Sequence, residues 1–127
     1  MRIAKSPALA RRMGFMLLAL LGSSAAAAQD AVAVNPEEVH VRLENDRVRV
    51  LEAVLQPGQR ERPHSHPASV IYVISGGKVR NHIDGGRSVE TELTAGQTIY
   101  RDPIAHWTEN TGTTTIHLIL IELKSPK

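Results

Sequence analysis

The chain has 127 residues, 15 Lys and Arg against 13 Asp and Glu, and no cysteine. That length allows one domain and a leader, and the missing cysteine excludes a disulfide framework, a thiolate nucleophile, a cysteine-based zinc site and a lipoprotein anchor. With one Trp, two Tyr and one Phe, a core must be built from Val, Ile and Leu, which suits strands.

Residues 1–28 read as a secretory signal. Arg2, Lys5, Arg11 and Arg12 give a positive start, residues 13–21 an apolar run, and Ala26-x-Ala28 a cleavage site before Gln29. The run spans 9 residues, well short of the roughly 20 that cross a membrane as a helix. An exported protein, periplasmic or secreted, with no stable membrane anchor is therefore expected. Removing the leader takes four basic residues and leaves 11 positive against 13 negative charges. The positive balance of the full chain belongs to the leader, and the scattered basic residues that remain exclude nucleic acid as a partner.

Residues 29–44 read as a polar lead-in, interrupted by Pro36 and Glu37-Glu38. Residues 45–127 read as one domain of short β-like runs. The first covers 47–55 and stops at Pro57-Gly58; the next, 70–74, stops at Gly76-Gly77. Residues 78–83 end at Asp84-Gly85-Gly86, a hairpin signal. Runs at 88–93 and 98–101 follow, the latter closed by Asp102-Pro103, then 106–109 before Asn110-Thr-Gly112, and finally 113–123. No 3.6-residue apolar period is sustained outside the leader. About seven strands at this spacing predict an all-β sandwich or small closed barrel. The segment 116–123 is apolar on both sides apart from His117 and Glu122. Such a strand needs cover on each face, so a homodimer is expected.

The informative polar residues are histidines. In His64-Ser-His66, residues two apart on an extended segment point to one side, so both imidazoles can face one ion. Pro63 and Pro67 restrict the backbone around them. His106 opens another short run after the Asp102-Pro103 turn. Three neutral imidazoles suit a divalent Fe, Mn, Ni, Cu or Zn ion and leave coordination positions open.

Strand parity adds candidates around these three. Glu52 shares a parity with Val48, Val50 and Val54 and can face inward, where a carboxylate needs a partner. Glu61, three residues before His64, is expected to point away. His82 and Tyr72 are the tentative catalytic residues. His82 reads either as a cavity residue or as an exposed His beside Arg80; Tyr72, on the Val70 side, reads either as pocket wall or as core. Trp107 is expected opposite His106, as packing or dimer contact. Arg101, were it inward, would suit a carboxylate. Asn110 is expected to hold a turn through its side chain.

Residues 45–123 resemble the cupin superfamily, in its small single-domain group. Its first motif is Gly, five residues, His-x-His, three or four residues, Glu, six residues, Gly. Gly58, His64, His66 and Gly77 fit it. The second motif closes with His, three residues, Asn, matched by His106 and Asn110, and Ala95-Gly96 sits at its opening, one residue nearer the histidine than is usual. The resemblance implies a single-domain jelly-roll β-barrel with His64, His66 and His106 inside it as ligands of one divalent metal ion. It departs at the glutamate, where this chain has Val70, or Ile71 with the longer spacing. A three-histidine site keeps the ion's full charge, which favours an anionic small molecule but weakens affinity, and the site can also have lost its metal. The implied function is a metal-dependent oxygenase or related oxidoreductase on a small organic molecule. The alternatives are a periplasmic module that binds a small ligand or metal without turnover, and a non-redox metal isomerase or lyase.

Overall fold

Among the described residues, nine strands form two antiparallel sheets that face one another. The computed structural model describes residues 29–126; the signal read at 1–28 lies outside them. In chain order the elements are α1 (Ala31–Val34), β1 (Val39–Glu44), β2 (Val48–Leu55), β3 (His64–His66), β4 (Ser69–Ser75), β5 (Gly77–Ile83), β6 (Arg87–Leu93), β7 (Thr98–Arg101), β8 (Ile104–Asn110) and β9 (Ile116–Leu123). One sheet has the order β1-β2-β9-β4-β7 and the other β3-β8-β5-β6. This is the all-β, jelly-roll-like architecture expected.

Local chemistry fixes the corners. Gly85 and Gly86 both take φ of +93°, which glycine adopts without a Cβ penalty, and close the β5–β6 hairpin. The chain crosses from one sheet to the other at Gly76-Gly77. A Cβ on Gly76 would lie 1.9 Å from the Leu93 carbonyl oxygen, and one on Gly77 2.3 Å from Thr114 Oγ1. The closing glycine of the first motif is thus a packing requirement. Asn110 does hold its turn: Nδ2 donates to the Leu55 and Thr114 carbonyls and Oδ1 accepts from Gly112 N–H.

Two features differ from the sequence reading. Residues 29–44, read as a lead-in, contain a helical turn and a full edge strand. Asp30 caps α1 by accepting from the Val32 and Ala33 amides, and β1 pairs with β2 across a bulge between Val41 and Leu43. The parity of β2 is also opposite to the one used above. Arg49, Leu51, Ala53 and Leu55 line the interior, with Leu51 and Leu55 buried, while Val48, Val50, Glu52 and Val54 form the outer face. A strand apolar on both sides does not reveal which side is inside.

The inner face of the five-stranded sheet is layered. Leu51, Leu120, Ile71 and Ile99 occupy one register row across β2, β9, β4 and β7, and belong to a core cluster closed by Val39 and Ala31. A second cluster of Leu55, Val79 and Ile116 fills one end. At the other end the row is polar: Arg49, Glu122, Ser69 and Arg101. Opposite that polar row stand the histidines.

Candidate metal centre

His64 and His66 lie on the three-residue strand β3, pointing inward on either side of Ser65, and His64 pairs in register with His106 of β8. All three are buried, at 4%, 6% and 5% exposure, and their ring nitrogens include one ligand atom each within 4.8 Å of the others. His64 packs edge-to-face on His66 and His106 and the His66–His106 pair is tilted, with ring centroids 4.7–5.4 Å apart.

Each imidazole has an acceptor at Nδ1. His64 Nδ1 lies 2.7 Å from the Arg62 carbonyl oxygen, with the Asn35 side-chain amide nitrogen also 3.2 Å away, while His66 Nδ1–H donates to Glu122 Oε1 at 2.6 Å and His106 Nδ1–H to Asn81 Oδ1 at 2.5 Å. Protons held there leave a lone pair on every Nε2, and the second hydrogen bond of an imidazole is what fixes its tautomer for metal binding. His64 and His66 meet through Nε2 at 2.9 Å, while His106 Nε2 is buried with no partner. Burial lowers the pKa of His66 against the pull of Glu122. Burial, then the charges of Arg101 and the other two histidines, push His106 down to about 2. Neutral imidazoles with convergent Nε2 atoms are the form a divalent ion requires. The donor set therefore fits a metal ion.

The surrounding charges are ordered. Burial would raise Glu122, but hydrogen bonds from His66 and Arg49 hold it below the usual carboxylate range. Arg49 bridges Glu122 at 2.7 Å and Asp30 at 2.5 Å. Asn35 donates to the Arg62 carbonyl and accepts from the Arg62 amide at 2.6 Å, which fixes the carbonyl that His64 uses. Arg101 points inward, with Nε and Nη2 buried and without hydrogen-bond partners.

Several expectations are corrected. Glu61 does not point away: its carboxylate reaches 3.9 Å from His64 Nε2 and accepts from the Thr108 amide at 3.1 Å, and burial raises its pKa. Glu52 faces outward, paired with Arg42 and with His117 at 2.6 Å. Tyr72 is 46% exposed on that same outer face, so it cannot reach the histidines. His82 lies on the outer side of β5, stacked on Trp107 with ring centroids 3.7 Å apart and bonded to Ser88. A cavity of about 630 Å³ opens there, bordered by His82, Trp107, Ser88 and Ser65 and also by His64 and His106. The cavity thus borders two of the three candidate ligands. Of the two positions considered for the absent glutamate, Val70 faces out and Ile71 faces in, buried in the core, so Ile71 stands where a carboxylate would face the interior. Glu122, Asn81, Arg49 and Ser69 went unread as site residues. Glu122 had a usable signal, a lone acid in an apolar strand, since a buried carboxylate requires a partner.

No helix among the described residues is long and apolar enough to cross a membrane. A family model described as "Cupin domain" matches residues 51–122. A cupin domain from Bordetella pertussis is 28% identical, with a TM-score of 0.63 covering 68% of this chain and 92% of that one. An uncharacterized conserved protein with a double-stranded beta-helix domain from Klebsiella pneumoniae is 27% identical, with a TM-score of 0.55 over 68% and 77% of the two chains. An RmlC-like cupin family protein from Methanocaldococcus jannaschii, 12% identical, shares the fold at a TM-score of 0.57 over 68% and 78%. No curated protein matches the chain. The family model spans more than half of the sequence and agrees with the sheet topology and the strand-borne histidines: the chain belongs to the cupin family.

Proposed function

We propose that this cupin holds one divalent metal ion with His64, His66 and His106 and acts as a metal-dependent oxidoreductase, of the oxygenase kind, on a small organic molecule. The observation that carries the reading is the convergence of three buried imidazoles: each Nδ1 has an acceptor, the Nε2 atoms of His64 and His66 meet, and that of His106 has no partner. A bound redox-active ion supplies electron transfer and open coordination positions. The chain's own part is to keep His66 and His106 neutral by burial, to hold His66 through Glu122 and His106 through Asn81, and to shelter the site between the sheets.

A second reading, a periplasmic module that binds without turnover, is favoured by one observation. Tyr72 and His82, the tentative acid–base groups, both lie on outer faces. Metal identity separates the readings. Elemental analysis of residues 29–127 beside a His64→Ala/His66→Ala variant should give about one equivalent of Fe, Mn, Ni, Cu or Zn, lost in the variant. Iron, copper or manganese then calls for oxygen-uptake assays, and zinc alone moves the reading to non-redox chemistry. No metal in either protein after incubation with each ion would overturn the proposed centre.

The same proposal places the protein outside the cytoplasm after cleavage near Ala28, as a homodimer. Support for a second copy comes from the outer face of the five-stranded sheet. Leu43, Val50, Ile121, Val70 and Tyr100 form one unbroken register row across all five strands, flanked by exposed Tyr72, Ile74 and Leu123. A flat apolar face of this breadth suits a two-fold contact with itself.

A further inference from the structure

Buried polar atoms in folded proteins are nearly always paired, because an unpaired one costs about 1–3 kcal/mol. Five buried side-chain atoms have no partner among the described residues, and four of them gather in one layer: Ser69 Oγ, Arg101 Nε, Arg101 Nη2 and His106 Nε2. Ser69 and Arg101 are register partners on β4 and β7, both on the inner face. His106 projects inward from the facing sheet and is buried. An ion explains the His106 nitrogen. It cannot explain two N–H donors of a guanidinium.

The contrast with Arg49 sharpens the point. Arg49 sits at the other end of the same row and is fully paired, with Glu122 and Asp30 at 2.7 and 2.5 Å. Arg101 feels Glu61 and Glu122 only at a distance, and no carboxylate among the described residues forms an ion pair with it. Its free atoms, Nε and Nη2, are the two that share one edge of the guanidinium. That edge presents parallel N–H donors spaced for the two oxygens of a carboxylate.

We propose that Arg101, through its Nε/Nη2 edge, and Ser69, through Oγ, form the anchor for the carboxylate of a small organic acid bound inside the barrel beside His106. The proposal rests on reading the barrel interior as the ligand site. It requires the ligand to be small, since the 630 Å³ cavity reaches His64 and His106 but is not lined by Arg101 or Ser69. An oxidoreductase here would act on a carboxylic acid, held at its charged end while the rest of the molecule faces the histidines.

Calorimetric titration of formate, acetate and pyruvate, with acetamide as the neutral control, tests it on protein whose metal content is measured in the same samples, both metal-loaded and chelator-stripped. At least one carboxylate should bind wild type while acetamide does not. Arg101→Lys, which keeps the charge but loses the fork, should weaken that binding by about tenfold or more, and Ser69→Ala by about fivefold. Should Arg101→Lys fail to fold, Ser69→Ala decides alone. Carboxylate affinity unchanged in the folded variants, or no carboxylate bound by either form of wild type, would overturn the anchor. Metal content that survives in such a result leaves the metal centre standing, whereas metal-free wild type that still binds carboxylate separates the anchor from the ion.

Discussion

The carboxylate of Glu122 joins two pieces of chemistry: one oxygen takes the Nδ1 proton of His66 at 2.6 Å, and the other takes Arg49 Nε–H at 2.7 Å. A carboxylate behind a metal-binding imidazole raises its basicity and fixes its ring, and losing such a partner typically costs about 10–100-fold in metal affinity. Glu122→Gln should therefore weaken metal binding by at least about tenfold in competition with a chromophoric chelator. The fold should survive, because Asp30 still holds Arg49. A Gln variant that competes as well as wild type would remove Glu122 from this role. The three histidines that could hold an ion were legible, because the His-x-His spacing and the second-motif histidine are local patterns. Their partners were not. Glu122 is 56 residues from His66 and Asn81 25 residues from His106, and only sheet packing brings them together. Arg101 was legible as a candidate but not in direction, since a four-residue strand carries too little alternation to assign its faces.

At the scale of elements, the strands whose ends are marked by turn residues were readable, and β5 to β7 stand within a residue or so of where the turns put them. β1 was missed because Pro36 and the acidic pair argue against regular structure, and its pairing with β2 overrides that local signal. The segment around α1 is more than a lead-in. Asp30 caps the turn, binds Arg49, and borders Gln29, whose carbonyl accepts from Ser65 N–H between the two histidines. Burial alone would raise the Asp30 pKa, but Arg49 and the Ala33 and Val32 amides hold it below its ordinary 3.8. A carboxyl lowered on folding stabilises above its unfolded value, and the contribution disappears as pH falls through the folded one. Asp30→Ala should thus cost about 1 kcal/mol or more at neutral pH, and the gap to wild type should shrink as pH falls below the ordinary carboxylate range. Urea denaturation of both proteins across that range checks it; a gap independent of pH would mean that packing, not the carboxylate, supplies the effect.

For the molecule as a whole, the choice of inside and outside falls to the five-stranded sheet, and there the sequence misleads, because β2, β4 and β9 carry apolar residues on both sides. The inner set fills the jelly roll. On the homodimer proposal the outer set meets a second copy, so Tyr72→Lys/Tyr100→Lys should halve the mass seen by light scattering without lowering the stability of the monomer fold, since both side chains are well exposed, at 46% and 62%. A wild type that elutes as a monomer at all concentrations would end the homodimer reading. One feature of the sandwich also bears on how fast an ion can come and go. His64 and His66 share a strand of three residues at the margin of its sheet, paired on one side with β8 and on the other only by the Asp30–Ser65 bridge. Edge segments this short open locally at far lower free energy than the domain unfolds. Under the proposed metal reading, two of the three candidate ligands would therefore leave and return as a unit, and the residence time of a bound ion would follow the fraying of one strand rather than the lifetime of the folded barrel.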